Sequence, residues 1–205
     1  MSGAFARVPC AEGILTYDGV FVPRYGTTVP TLFAIGVALS RIPRFAGHTR
    51  EEWTVLDHSL FVARLADDEI ATEATTYLPL CALLHDAHEA ITSDVPTPFK
   101  NDDLRETQDV LDLEIARRYI PGGVATLRKL EPVLKELDYR ALLAEALVYG
   151  PPMLAEPSIV KHYFGAEPVP SDVELLYELR KQPMPAHAED RARRFERMAS
   201  RLGAL

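Results

Sequence analysis

Apolar residues recur at three- and four-residue spacing through most of this chain, which predicts a mainly helical molecule. The exception comes first. Ile14-Leu15-Thr16-Tyr17 and Val20-Phe21-Val22 flank Asp18-Gly19, a dipeptide suited to the positive backbone angles of a tight turn, so a small β-hairpin is expected there. Beyond Pro30 the period changes. Leu32, Ile35 and Leu39 mark a helix running to Ser40, and Pro43 and Gly47 then signal a loop. Further helical segments are expected at about 53–66, 76–91, 102–119, 124–149 and 186–203. Between 150 and 185 proline and turn residues are denser, which predicts a peripheral connection with a short helix over Val173–Leu179. The fold class is all-α with a minor N-terminal hairpin. We read one domain over 1–205: a hairpin extension at 1–30, a core at 31–149 and a C-terminal connection and helix at 150–205.

The helical pattern puts certain polar residues where water should not reach. His58 shares a face with Val55, Val62 and Leu65, and an inward imidazole needs either a hydrogen-bond partner, as a core histidine would find, or a ligand. The run Leu80-Cys81-Ala82-Leu83-Leu84 ends abruptly in His85-Asp86-Ala87-His88-Glu89. Desolvating neighbouring ionisable groups costs several kcal/mol unless they pair or bind a metal. Glu89 follows His85 at the i+4 spacing of one helical face. Asp138 lies between Leu134 and Ala141 at helical spacing; its ordinary alternative is a surface carboxylate beside Lys135 or Arg140. Together His58, His85, Asp86 and Asp138 form a mixed nitrogen and oxygen set that suits a divalent transition metal (Mn, Fe, Co, Ni or Zn) better than calcium.

Charge and composition narrow the partners. The 205 residues are 47% hydrophobic with a formal net charge of −8, so the chain can bury a sizeable core but does not present the basic surface a polynucleotide needs. A small anion remains possible, because a metal and a few local cations dominate the field in a cleft. The two cysteines, Cys10 and Cys81, lack CxxC spacing and argue against a thiolate metal site. With no signal-like N-terminus and no apolar stretch near the ~20 residues of a membrane span, a cytoplasmic, membrane-free protein is expected.

The order His58, His85-Asp86, Asp138 resembles the H…HD…D signature of the HD-domain phosphohydrolases. The stretches Ser40-Arg41-Ile42-Pro43-Arg44-Phe45-Ala46-Gly47-His48-Thr49, Val55-Leu56-Asp57-His58-Ser59, Leu83-Leu84-His85-Asp86-Ala87-His88-Glu89-Ala90 and Asp94-Val95-Pro96-Thr97-Pro98-Phe99-Lys100 are similar to its YfbR-like branch. That branch contains bacterial 5′-deoxynucleotidases and DatZ-type phage dATP triphosphohydrolases. The resemblance implies an HD-type helical bundle with His58, His85, Asp86 and Asp138 as metal ligands. It further implies Glu89 as the acid beside the metal-bound water, Asp94 as a second acid near the water and sugar, Arg44 with Phe45 as a phosphate and nucleoside contact, and Lys100 as a phosphate-side cation. His48 is either a loop cap or a phosphate donor. Phe45 could equally be core packing, and Lys100 alone would read as a solvated lysine. His88 stands where a small residue is expected, and a non-ligand role is favoured for it. A homo-oligomer, dimer or higher, is also expected.

The expected activity is hydrolysis of a nucleotide phosphoester, with (deoxy)ribonucleoside 5′-monophosphates favoured and a dNTP triphosphohydrolase as the alternative. A catalytically silent nucleotide-binding module is the reading from another class. Retention of the four ligands and of Glu89 speaks against it.

Overall fold

The computed structural model describes residues 12–24, 26–69, 75–182 and 184–205. Cys10 lies outside the described residues. β1 (Gly13–Leu15) pairs antiparallel with β2 (Phe21–Pro23), with Ile14 opposite Val22. The turn between them closes through Thr16 and Val20, with Gly19 at φ 77°.

α1 (Leu32–Leu39) starts at Thr31, whose hydroxyl accepts the Ala34 N–H at 3.2 Å and so satisfies one of the unpaired amides of the first turn. The helix is apolar on nearly every side because neighbours cover it. A Cβ on Gly36 would stand 2.9 Å from the Ala192 Cα, so α9 (Ala188–Arg201) can lie directly against α1, seating Ala192, Phe195 and Ala199. α2 (Val55–Asp67) begins with a reciprocal capping box between Thr54 and Asp57. α3 (Leu78–Leu84) is buried along all seven residues and packs between α2 and α6 (Gly123–Val148). α5 (Asp102–Tyr119), capped by Asn101, packs along α6. One core cluster joins Val29 near the start to Ala199 near the end, and among the described residues no helix is long and apolar enough to cross a membrane.

Two expectations need correction. The helix read over 76–91 breaks at His85 and resumes as α4 (Glu89–Thr92). Between them the amides of Ala87, Glu89 and Ala90 bond three residues back, to Leu84, Asp86 and Ala87. The backbone there is wound at about three residues per turn, so residues three apart eclipse; Glu89 therefore aligns with Asp86, not His85.

The second correction is the stretch 150–185. It is more helical and less peripheral than expected, with α7 (Pro157–Phe164) and α8 (Pro170–Arg180). Pro157 and Pro170 begin helices instead of breaking them, as proline can at a first position where its missing N–H has no partner to lose. Leu176 of α8 is fully buried in the main core, and Asp172 receives two bonds from Arg140 at 2.8 and 2.9 Å.

Candidate metal centre

Three helices deliver the proposed ligands to one point. His58 sits in the second turn of α2, His85 and Asp86 follow the C-terminus of α3, and Asp138 comes from the middle of α6. The His58 and His85 Nε2 atoms are 3.2 Å apart. An Asp86 oxygen lies 3.4 and 3.2 Å from them, and an Asp138 oxygen 3.1 and 3.6 Å. The Asp138 side chain is 44% exposed, but neither cation named for a surface pair takes it: Lys135 pairs with Glu131 and Arg140 with Asp172 and Glu69.

Each imidazole is oriented from its far side. His58 Nδ1–H donates to Glu145 Oε1 at 2.8 Å, and His85 Nδ1–H donates to the Ala82 carbonyl at 2.7 Å. In the neutral ring a protonated Nδ1 leaves a lone pair on Nε2. Two such lone pairs facing each other at 3.2 Å, flanked by two carboxylates, repel unless a proton or a cation lies between them. The neighbouring carboxylates favour positive charge at this point. Burial and Arg44 push His58 down, but Glu145 and Asp138 outweigh them and raise it to about 9. Burial likewise opposes charge on His85, yet Asp86 and Asp138 hold it well above its ordinary value. The donor set therefore fits a divalent ion, with one position or more left for other ligands.

Glu145 was not anticipated by sequence reasoning. It is fully buried, two turns beyond Asp138 on α6, and spans two functions: one oxygen holds His58, the other lies 3.5 Å from the Arg44 guanidinium. Its signal was a lone acid inside Ala141-Leu142-Leu143-Ala144-Glu145-Ala146-Leu147-Val148.

Around the cluster stand the other predicted residues. Arg44 opens a 3₁₀ turn, Arg44–Gly47, fixed to the start of α2 by Arg44 N–H to Trp53 O and Val55 N–H to Ile42 O, both 2.9 Å. Phe45 and Ala46 there adopt φ of 53° and 51°, a left-handed conformation that costs about 1–2 kcal/mol each for side-chain-bearing residues. Arg44 is held only loosely, at 3.5 Å from Glu145 and 3.9 Å from Asp94, and its Nε has no partner. The Phe45 ring is partly buried against a satellite cluster of Leu143, Ala146, Leu154 and Val160, so packing is at least part of its role. Glu89 is 3% exposed, with Oε2 unpartnered. Burial, reinforced by Asp86 and Asp94, raises its carboxyl to about 8. Asp94 is raised by burial, with Arg44 pulling against it and Lys100 also facing it. His48 is exposed and caps the end of the Arg44 turn. His88 is buried and bonded through Nδ1 to Asp112 at 2.8 Å; Asp112 was also missed, since α5 carries several acids that the sequence pattern does not distinguish.

No family model matches the chain. It is 36% identical over 95 residues to an uncharacterized protein, YfdR, of Escherichia coli K12; the match covers 45% of this chain and 49% of that protein. The chain thus spans about half the length of the curated relative it matches. Among solved structures it is similar to the HD phosphohydrolase DatZ of cyanophage S-2L, bound to dA and one catalytic Zn2+, at a TM-score of 0.49 and 20% identity over 85% of this chain and 99% of that one.

Proposed function

We propose that the protein is a metal-dependent nucleotide phosphohydrolase of the HD type. The observation that carries this reading is the pair of buried imidazole Nε2 atoms 3.2 Å apart with two carboxylates, beside a second, protonatable acid. His58, His85, Asp86 and Asp138 would hold the ion. When bound, such an ion polarises a phosphoryl oxygen and acidifies a water. Glu89, buried with one carboxylate oxygen unpartnered, would orient that water and accept its proton, with Asp94 close enough to act on its charge. Arg44 is already drawn toward the cluster but makes no close bidentate pair, so its planar fork is free to exchange loose carboxylate contacts for phosphate oxygens. Lys100 adds charge on the Asp94 side.

The favoured substrate is a deoxynucleoside 5′-monophosphate. The spacing from the Arg44–Phe45 pair to His58 resembles that of the 5′-deoxynucleotidases of the YfbR-like branch, which supports this reading. Incubating metal-loaded protein with dAMP and, separately, dATP, and identifying the products by phosphorus NMR, tests this. Orthophosphate from dAMP is expected. Triphosphate released from dATP, with dAMP untouched, would replace the monophosphate reading by the triphosphohydrolase one, and no product from either would leave a binding module.

A further inference from the structure

Arg44 stands on a loop that is tied at its neck. Pro43 bridges Thr54, and Arg44 N–H bonds Trp53 O at 2.9 Å, so the chain between α1 and α2 returns on itself. The left-handed pair, Phe45 at φ 53° and Ala46 at φ 51°, lies inside this loop. Such backbone costs about 1–2 kcal/mol per residue and persists only where its surroundings over-determine it. The loop therefore needs to be held from outside the turn.

Two of its own side chains supply that hold by gripping the C-terminal end of α6. Arg50 donates from Nε to Gly150 O at 3.0 Å and from a terminal nitrogen to Leu147 O, while its backbone N–H bonds Tyr149 O at 2.9 Å. Carbonyls at the end of a helix lack partners within it and carry partial negative charge, which suits a guanidinium. Trp53 lays its ring flat on that of Tyr149, with centroids 4.1 Å apart and planes 12° from parallel, and both residues are buried. Tyr149 closes the last turn of α6, its N–H bonding Glu145 O at 2.7 Å. The loop is thus fastened one helical turn beyond Glu145, whose carboxylate stands 3.5 Å from the Arg44 guanidinium.

We infer that Arg50 and Trp53 are positioning residues for Arg44, on the reading that Arg44 meets phosphate. They lock the loop to α6, and with it the direction in which the Arg44 fork leaves the backbone toward the cluster. Arg50 is engaged by carbonyls and Trp53 by Tyr149, so their effect on turnover passes through Arg44. Small misplacements of a binding group, about 1 Å, are costly even when their origin is remote from the chemistry. A residue that only positions Arg44 costs no more than the loss of the fork itself.

A double-mutant cycle on the Mn2+-loaded full chain, with whichever of dAMP and dATP it hydrolyses, tests the assignment. Arg50→Gln and Trp53→Leu should each lower kcat/KM by about tenfold, no more than Arg44→Lys does, with metal content as in the native protein. Trp53→Phe keeps an aromatic face on Tyr149 and should retain most of the turnover, a comparison that stands even where Trp53→Leu does not fold. In an Arg44→Lys background the fork is already absent, so adding Arg50→Gln should cost almost nothing further, as expected of residues that act through one group. Losses that multiply in the combined variant would overturn the assignment while leaving Arg44 its phosphate role. Native kcat/KM in Arg50→Gln with a lowered melting temperature would also overturn it, making Arg50 a cap of α6 alone. Unchanged kinetics in Arg44→Lys would remove the phosphate role and the positioning role together, and no hydrolysis of either nucleotide by the native protein would remove the reaction itself.

Discussion

The two sides of the candidate site are built differently. On one side, His58, His85, Asp86, Asp138 and Glu145 stand on or at the ends of packed helices and meet one another at 2.8–3.6 Å; Asp86 does so from just past the end of α3. On the other, Arg44, Phe45, Asp94 and Lys100 stand on turns, two of them beside left-handed backbone at Ala46 and Ser93, and the closest charge contacts of Arg44 are 3.5 and 3.9 Å. Donors that must fit a small ion gain from rigid elements. Groups that must release one partner and take a phosphate gain from being loosely held. Glu145 joins the sides, and for that reason it tells more about the site than any single ligand.

The largest effect should come from the helical side. His85→Ala with Asp86→Ala removes two of the four proposed ligands, and the variant is expected to lose its ion and all measurable turnover. An ion at 1,000 times its dissociation constant stabilises by about 4 kcal/mol, which for a chain of this size is roughly 8–16 °C. Native protein should gain that much on metal loading, and the double variant should gain none. An equal rise in both would place the ion elsewhere.

Glu89→Gln comes next. It keeps shape but loses the proton acceptor, so turnover of metal-loaded protein should drop by ~10²–10⁴ while the ion at His58 and His85 stays, as elemental analysis would reveal. Undiminished turnover would move the proton to Asp94.

Both of these effects concern residues that are legible in the sequence, and the reason is periodicity. His58 and Asp138 fall at helical spacing among leucines and valines, and His85-Asp86 ends an apolar run, so their placement at the inner side of the helices follows from the hydrophobic pattern. The winding at 85–88 does not, because no glycine or proline marks it, and the alignment of Glu89 with Asp86 and the partner of His88 stay hidden with it. Helices α7 and α8 are obscured because proline punctuates turns and also opens helices. Glu145 lies within reach of the same periodicity that singles out Asp138, seven residues earlier on the same helix. Nothing local distinguishes Asp112 from its acidic neighbours.

Glu145→Gln probes the junction between the two sides. Loss of the carboxylate behind a ligating histidine typically costs 10–100-fold in metal affinity, and we expect a loss in that range by competition with a chelator of known affinity. The same change frees Arg44 from one of its two carboxylates, so at saturating metal the KM for nucleotide should fall or hold steady. Unaltered metal affinity would mean that Glu145 serves Arg44 alone.

Arg44→Lys should have the smallest effect. It keeps the charge but loses the fork, and one charge-assisted hydrogen bond is worth about 1.5–3 kcal/mol. A drop in kcat/KM of roughly tenfold or more is expected, with metal content unchanged and melting temperature within about 2 °C. Loss of stability without loss of turnover would make Arg44 a structural tie between Glu145 and Asp94.

A divalent ion held among His58, His85, Asp86 and Asp138 is the proposal common to all of these tests. Its sharpest test is anomalous X-ray scattering from a crystal of the Mn2+-loaded protein, collected with wavelengths on either side of the manganese edge. A peak is expected between the two Nε2 atoms and the two carboxylates. A crystal of loaded protein with no peak at that point, or with its peak outside these four side chains, would refute the assignment.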